Sequence, residues 1–125
     1  MQPTLHTAPD GTNYRDLNGN GVMDAYEDPR LSAEERTEDL LARLSLAEKI
    51  GLMFQTVIEI GSDGELLETP GAISKSPTSD VVLGKCMNHF NVHAIRSARE
   101  GARWNNALQR LAERTPHGIP VTIST

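Results

Sequence analysis

A single cysteine, Cys86, in 125 residues leaves no internal disulfide to brace this chain. It does not identify a compartment, because many secreted enzymes also lack disulfides. Aromatic residues are few: two Phe, two Tyr and one Trp. With no basic stripe that interleaves such rings, nucleic acid is not expected as a partner. No apolar run approaches the roughly 20 residues that cross a bilayer, so no membrane partner is expected either. The first residues, "MQPTLHTAPDG", lack the basic start and apolar stretch of a signal peptide. The expected location is therefore cytoplasmic, or periplasmic or extracellular if a signal has been removed. Neither a Gly-rich phosphate loop nor a Gly-x-Ser-x-Gly elbow is present.

What is present is an uneven charge. The net value is −5, with eleven acids against five bases in residues 1–60 and six against seven in residues 61–125. An acid excess at the front suits a cation site there. The length is enough for one ordinary domain with a real core.

Residues 1–15 hold Pro3, Pro9, Gly11 and Asn13 without periodicity and read as an irregular lead-in. From Leu31 the pattern turns helical. Ser32 and Glu35 form a capping box ahead of a Leu40, Leu41, Leu44 stripe, and Ser45 with Glu48 starts a second helix expected to bury Leu46, Ile50, Met53 and Phe54. "TVIEI" (56–60) and "ELLE" (65–68) around "GSDG" read as a hairpin. Residues 69–80, rich in Pro, Gly, Ser and Thr, read as an exposed loop. "VVLGKCMNHFNV" (81–92) suits a strand, chiefly in its second half. A helix is predicted over 94–114, with Ala98, Ala102, Leu108, Leu111 and Ala112 on one side, and "IPVTIST" (119–125) reads as a buried parallel strand. Strand, helix and strand make a βαβ unit, which needs further strands and covered faces. The sequence therefore reads as cut off.

"DLNGNGVMDAYED" (16–28) is the most chemically pointed stretch. A calcium loop of the EF-hand type needs oxygen ligands at positions 1, 3, 5, 7, 9 and 12 and glycine at 6. Asp16, Asn18, Asn20, the Val22 carbonyl, Asp24 and Glu27 fill those positions, and Gly21 fills the sixth. A solvated turn is the plainer reading, since Asn, Asp and Gly are common turn residues. Pro9 and Gly11 before the loop and Pro29 after it make the two flanking helices of a hand unexpected. His89 and His93 are spaced i, i+4 but straddle a strand end, where that spacing does not converge. Cys86 reads as a small buried side chain, Trp104 as core, and Met23, Met53 and Met87 as packing residues.

Residues 14–54, "YRDLNGNGVMDAYEDPRLSAEERTEDLLARLSLAEKIGLMF", resemble the beginning of bacterial glycoside hydrolase family 3 enzymes of the β-glucosidase type. There an acidic "DxNxNGxxDxYED" stretch precedes a helix carrying "R-x-E-D-L-L-x-R-[ML]-[ST]-L-x-E-K". Residues 102–125, "ARWNNALQRLAERTPHGIPVTIST", resemble the family's helix with "N-x-L-Q" that leads into "HGIP" and a barrel strand.

The resemblance implies an α/β chain: the incomplete N-terminal portion of a (β/α)₈ TIM-type barrel, preceded by the EF-hand-like acidic loop. Residues 1–30 would be lead-in and calcium-type loop, and 31–125 the first helices and βα units. The remainder of the barrel and a second, α/β sandwich domain would be its partners within the intact enzyme. The implied activity is retaining hydrolysis of the O-glycosyl bond of a β-glucoside or oligosaccharide in carbohydrate catabolism, by an aspartate nucleophile and an acid/base. Neither matches a position here, so no catalytic residue is assigned and the 125-residue chain alone is expected to be inactive. Asp63, Asp80 and Glu100 read as turn, cap or surface residues. His89, Phe90 and Asn91, near a strand's C-terminal end, are candidates to line the pocket. The cofactor expected is a structural Ca²⁺. Two other classes compete: a small calcium-binding interaction module and a small complete α/β binding domain.

Overall fold

A computed structural model of the chain describes residues 4–124. The sequence begins, contrary to the reading of residues 1–15 as irregular, with a hairpin. Strand β1 (Thr4–Thr7) pairs antiparallel with β2 (Asn13–Asp16), Thr7 opposite Asn13. The Pro-Asp-Gly stretch that suggested an irregular lead-in is the turn itself: Gly11 sits at φ +86°, and the Ala8 amide donates to the Thr12 carbonyl at 2.8 Å. Only glycine adopts that φ without cost. Four-residue strands are too short to display an alternating pattern, which is why the periodicity test missed them.

Helices α1 (Ala33–Arg43) and α2 (Leu46–Leu52) start where their capping boxes place them. The Ser32 hydroxyl accepts from the Glu35 amide and the Glu35 carboxylate accepts from the Ser32 amide; Ser45 and Glu48 repeat the exchange. The expected apolar burial does not follow. Helix α1 buries no residue and α2 only Gly51, while Leu46, Ile50, Met53 and Phe54 are 74%, 48%, 84% and 54% exposed. The cause is the seat of α2: Gly51 lies against the Cys86 carbonyl, where no Cβ would fit, so the helix rests on its glycine and turns its apolar side outward.

Strands β3 (Gln55–Ile58), β4 (His89–Val92) and β5 (Thr122–Ser124) form a parallel sheet in that order, with Gln55 beside His89 and His89 beside Thr122. Helix α3 (Ala98–Ala112), capped by Ser97, completes the predicted βαβ unit, and Trp104, Leu108, Leu111 and Ala112 are its buried side. Ala98 and Ala102, expected on that side, are exposed. The supposed hairpin of 56–68 shrinks to one bridge, Ile60 to Leu66, because β3 pairs with β4 instead; its turn survives, with Asp63 and Gly64 both at positive φ. Of the stretch 81–92 only the last four residues are strand. Asp80–Gly84 form a π-helical turn that points Val81 and Val82 into the core, and Cys86 leaves it at φ 54°. The molecule is thus mixed α/β, with one apolar core gathered between α3, the π-helical turn and one face of the sheet.

Candidate functional site

The two faces of the sheet differ in chemistry. Side chains alternate along a strand, so Ile58, Phe90 and Val92 lie in the core, while Gln55, Val57, His89, Asn91, Thr122 and Ser124 share the opposite face, half-buried or exposed, with Val57 apolar among polar neighbours. Hydrogen bonds run across that second face. Gln55 Nε2 donates to Ser124 Oγ at 2.6 Å, spanning β4, and Asn91 Nδ2 approaches the same oxygen at 3.4 Å. Parallel strands ordinarily carry apolar residues on both faces. A second face polar at all but Val57 is therefore a surface for polar matter, and His89 sharpens the point: its Nδ1 is buried without a hydrogen-bond partner. Of the three pocket candidates, His89 and Asn91 stand on this face. Phe90, fully buried, does not; it packs into the core on the α3 side.

The acidic loop lies apart from the sheet. Asp16 and Glu27, 5% and 4% exposed, turn inward and accept from the loop's backbone: Asp16 from the Gly19, Asn20 and Gly21 amides, Glu27 from Leu17 and Asp24. Asn18 and Asn20 converge on one oxygen, Asp24 Oδ2, with their amide nitrogens 2.6 and 2.9 Å away. Val22 is 63% exposed and its amide donates to Asn20 Oδ1. Among the described residues no three carboxylate, imidazole or thiol groups gather as a metal cluster. The loop is entered from β2 and left by a 3₁₀ turn at Ala25–Glu27, so two flanking helices do not frame it, as Pro29 and Gly11 foretold.

The donor set nevertheless suits a hard cation. Its members are carboxylates and amides, whose oxygens are the donors such an ion takes. As it stands, the loop satisfies these groups internally: the Asn18 and Asn20 oxygens accept from the Asn20 and Val22 amides, and Asp24 accepts from both asparagines and from Arg43.

Arginines that no sequence pattern singled out fix this loop to its surroundings. Arg43 bonds Asp39 at 2.8 Å and Asp24 at 2.9 Å and lies over the Tyr26 ring, 5.7 Å from its centroid. Arg30 clasps Asp28 and reaches Asp10 in the hairpin turn at 2.6 Å. The Thr12 amide and then Arg30 bring the Asp10 carboxyl down to about 2. Asp39 with Arg43 at i, i+4 was the one legible signal.

A third cluster joins α2 to the loop before β5. His117 Nδ1 lies 2.9 Å from Glu48 Oε1, with both side chains largely buried beside a small cavity that Cys86 and Met87 also line. Burial would raise the Glu48 carboxyl, but Ser45 and His117 outweigh it and hold it below the usual carboxylate range. Burial, then the Glu48 charge, pushes the Cys86 thiol up, which opposes nucleophilic use. His93 is exposed beyond the end of β4 and does not join His89. Asp63 forms the positive-φ turn, Asp80 opens the π-helical turn with Lys85 3.3 Å away, and Glu100 stands in the first turn of α3. Trp104 is core, as expected.

No family model matches the chain. Among curated proteins it is 39% identical over 123 residues to a periplasmic β-glucosidase/β-xylosidase of Dickeya chrysanthemi, a match that takes in 92% of this chain and 17% of that protein. It is 40% identical over 101 residues to a probable β-glucosidase C of Aspergillus oryzae, 80% of this chain and 16% of the other, and 33% identical over 115 residues to a β-glucosidase C of Emericella nidulans, 91% and 18%. The chain thus spans about one sixth of the length of the curated relatives it matches. The likeness to β-glucosidases carried by residues 14–54 and 102–125 is borne out. No helix among the described residues is long and apolar enough to cross a membrane.

Proposed function

We propose that this relative of the β-glucosidases is the first part of a family 3 glycosidase barrel, contributing its opening strands and the polar wall that faces a β-glucoside. The observation that carries the reading is the sheet: three parallel strands in consecutive order, the last two joined by a helix, apolar toward that helix and polar except at Val57 on the other face. A (β/α)₈ barrel repeats this unit, and its chemistry sits at the C-terminal ends of the strands. The intact enzyme would hydrolyse the glycosidic bond with retention, using two carboxyl groups roughly 5 Å apart. On this reading such a pair does not come from Asp63, Asp80 or Glu100, which stand in the positive-φ turn, at the start of the π-helical turn and in the first turn of α3.

The test is an exchange. Placing this chain in the corresponding part of the Dickeya chrysanthemi enzyme should give a protein that hydrolyses aryl β-glucosides with retained configuration, while the 125-residue chain alone does not. A folded but inactive exchange would count against the reading. Hydrolysis by the chain alone, abolished by Asp63→Ala or Asp80→Ala, would overturn it.

The acidic loop, on this reading, is a brace that holds one structural Ca²⁺ through Asp16, Asn18, Asn20, the Val22 carbonyl, Asp24 and Glu27. Its support is the ligand spacing and the acid-and-amide donor set of residues 16–27. Calcium titration should show one site, poorly contested by magnesium, which prefers fewer protein oxygens and smaller cages. Asp16→Ala with Glu27→Ala should abolish it; unchanged binding would refute the assignment.

A further inference from the structure

We infer that Glu59 is a positioning residue that straps the segment 69–80 onto the C-terminal end of β3. That segment has the composition of a mobile loop, and neither helix nor strand forms over residues 69–77. Yet it is tied at several points. Glu59, the residue after β3, accepts the Ile73 and Ser74 amides on one carboxylate oxygen at 2.9 and 2.7 Å. Consecutive amides aimed at one anion form a nest, and here the anion is the chain's own side chain.

The surroundings are shaped to that carboxylate. Gly71 lies so close to it that a Cβ would collide with its Oε2, and the Gly71 amide donates to the Ser74 carbonyl at 2.8 Å, closing the turn. Lys75 Nζ donates to the Gly71 and Ala72 carbonyls at 2.6 and 2.9 Å, so the turn's acceptors are occupied as well as its donors. Further along, the Thr78 amide and hydroxyl both donate to the Leu67 carbonyl, fastening the far end. Beneath the strap lies a cavity of about 290 Å³ lined by Thr56, Val57, Ser74, Lys75, Lys85 and Met87 among others. Glu59 thus does for 71–75 what a strand partner does elsewhere: it fixes backbone donors in space from a rigid element.

The strap stands at the strand ends where, on the glycosidase reading, a substrate enters, and its role as a wall there rests on that reading. The clamp itself does not, and it is tested in the 125-residue chain by limited trypsin digestion. Cleavage after Lys75 should be about fivefold faster or more in Glu59→Gln than in the unaltered chain, while cleavage after Arg110 inside α3 stays unchanged. Equal rates at Lys75 in the two proteins would overturn the strap. So would an unaltered chain cut there as fast as an unstructured peptide. If the substitution speeds both sites and so unfolds the chain, amide exchange in the unaltered protein decides: slow exchange at Ile73 and Ser74 upholds the clamp, and peptide-like exchange overturns it. None of these outcomes bears on whether the sheet belongs to a glycosidase.

Discussion

The region from β3 to β5 and the region from β1 to α2 are built on opposite principles. The first is held by apolar burial: Ile58, Phe90, Trp104 and Leu108 are each 1% exposed or less and touch a common core. The second has little core. Helix α1 buries nothing, and cohesion comes from Arg30 and Arg43 gripping Asp10, Asp24, Asp28 and Asp39, from backbone amides closing on Asp16 and Glu27, and from two capping boxes. Burial is non-directional and tolerates salt and acid. A lattice of ions and hydrogen bonds is directional and depends on ionisation state. One chain therefore offers two regions that should yield to different insults.

The largest effect should come from the apolar side. Phe90→Ala or Trp104→Ala removes a fully buried ring and should cost about 3–5 kcal/mol, read as a lowered urea midpoint with unchanged slope; a loss below 1 kcal/mol would mean the core is not what holds β4 against α3. Next is the cation. Calcium should raise the melting temperature of the hairpin and loop with the logarithm of ligand excess, and Asp16→Ala with Glu27→Ala should erase that rise while leaving the Trp104 emission of the core unchanged.

Acid should separate the regions more gently. Asp10, Asp28, Glu35, Asp39 and Glu48 all have folded-state values below the ordinary ones. A depressed carboxyl contributes stability that is present above its unfolded value and lost as pH falls through its folded value. For Asp10 that window runs from 3.8 down to about 2. Tyrosine and amide probes of the N-terminal region should loosen across it before Trp104 responds. Simultaneous loss of both signals would join the two regions into one cooperative unit. The smallest effect expected is at a cap: Ser45→Ala should cost about 1 kcal/mol, seen in the same urea titration.

Much of this contrast was legible in the residues. The Ser-x-x-Glu boxes located both helix starts, the apolar side of α3 named Leu108, Leu111 and Ala112, and the β-branched "IPVTI" announced β5. What failed did so for physical reasons. Amphipathic spacing says that Leu46, Ile50 and Phe54 share a side, not that anything covers it, and the seat chosen by Gly51 turned that side outward. The hairpin was hidden because its turn residues are also those of irregular chain. Glu59 and Ser74 are far enough apart that no local pattern links them, and the arginine grips span up to 20 residues. At the candidate site the strand position of His89 and Asn91 was readable, but which face each occupied needed the register.

The contact of Gly51 with Cys86 reaches beyond packing. Because backbone meets backbone there, a single methyl at position 51 has nowhere to go, and the helix must lift off the π-helical turn to admit it. Lifting α2 would also draw Glu48 from His117, so one carbon atom at residue 51 would be felt at the loop that delivers the chain into β5. Any side chain at position 51 thus forces α2 off its seat, whereas Leu46, on the outward side of the same helix, is 74% exposed.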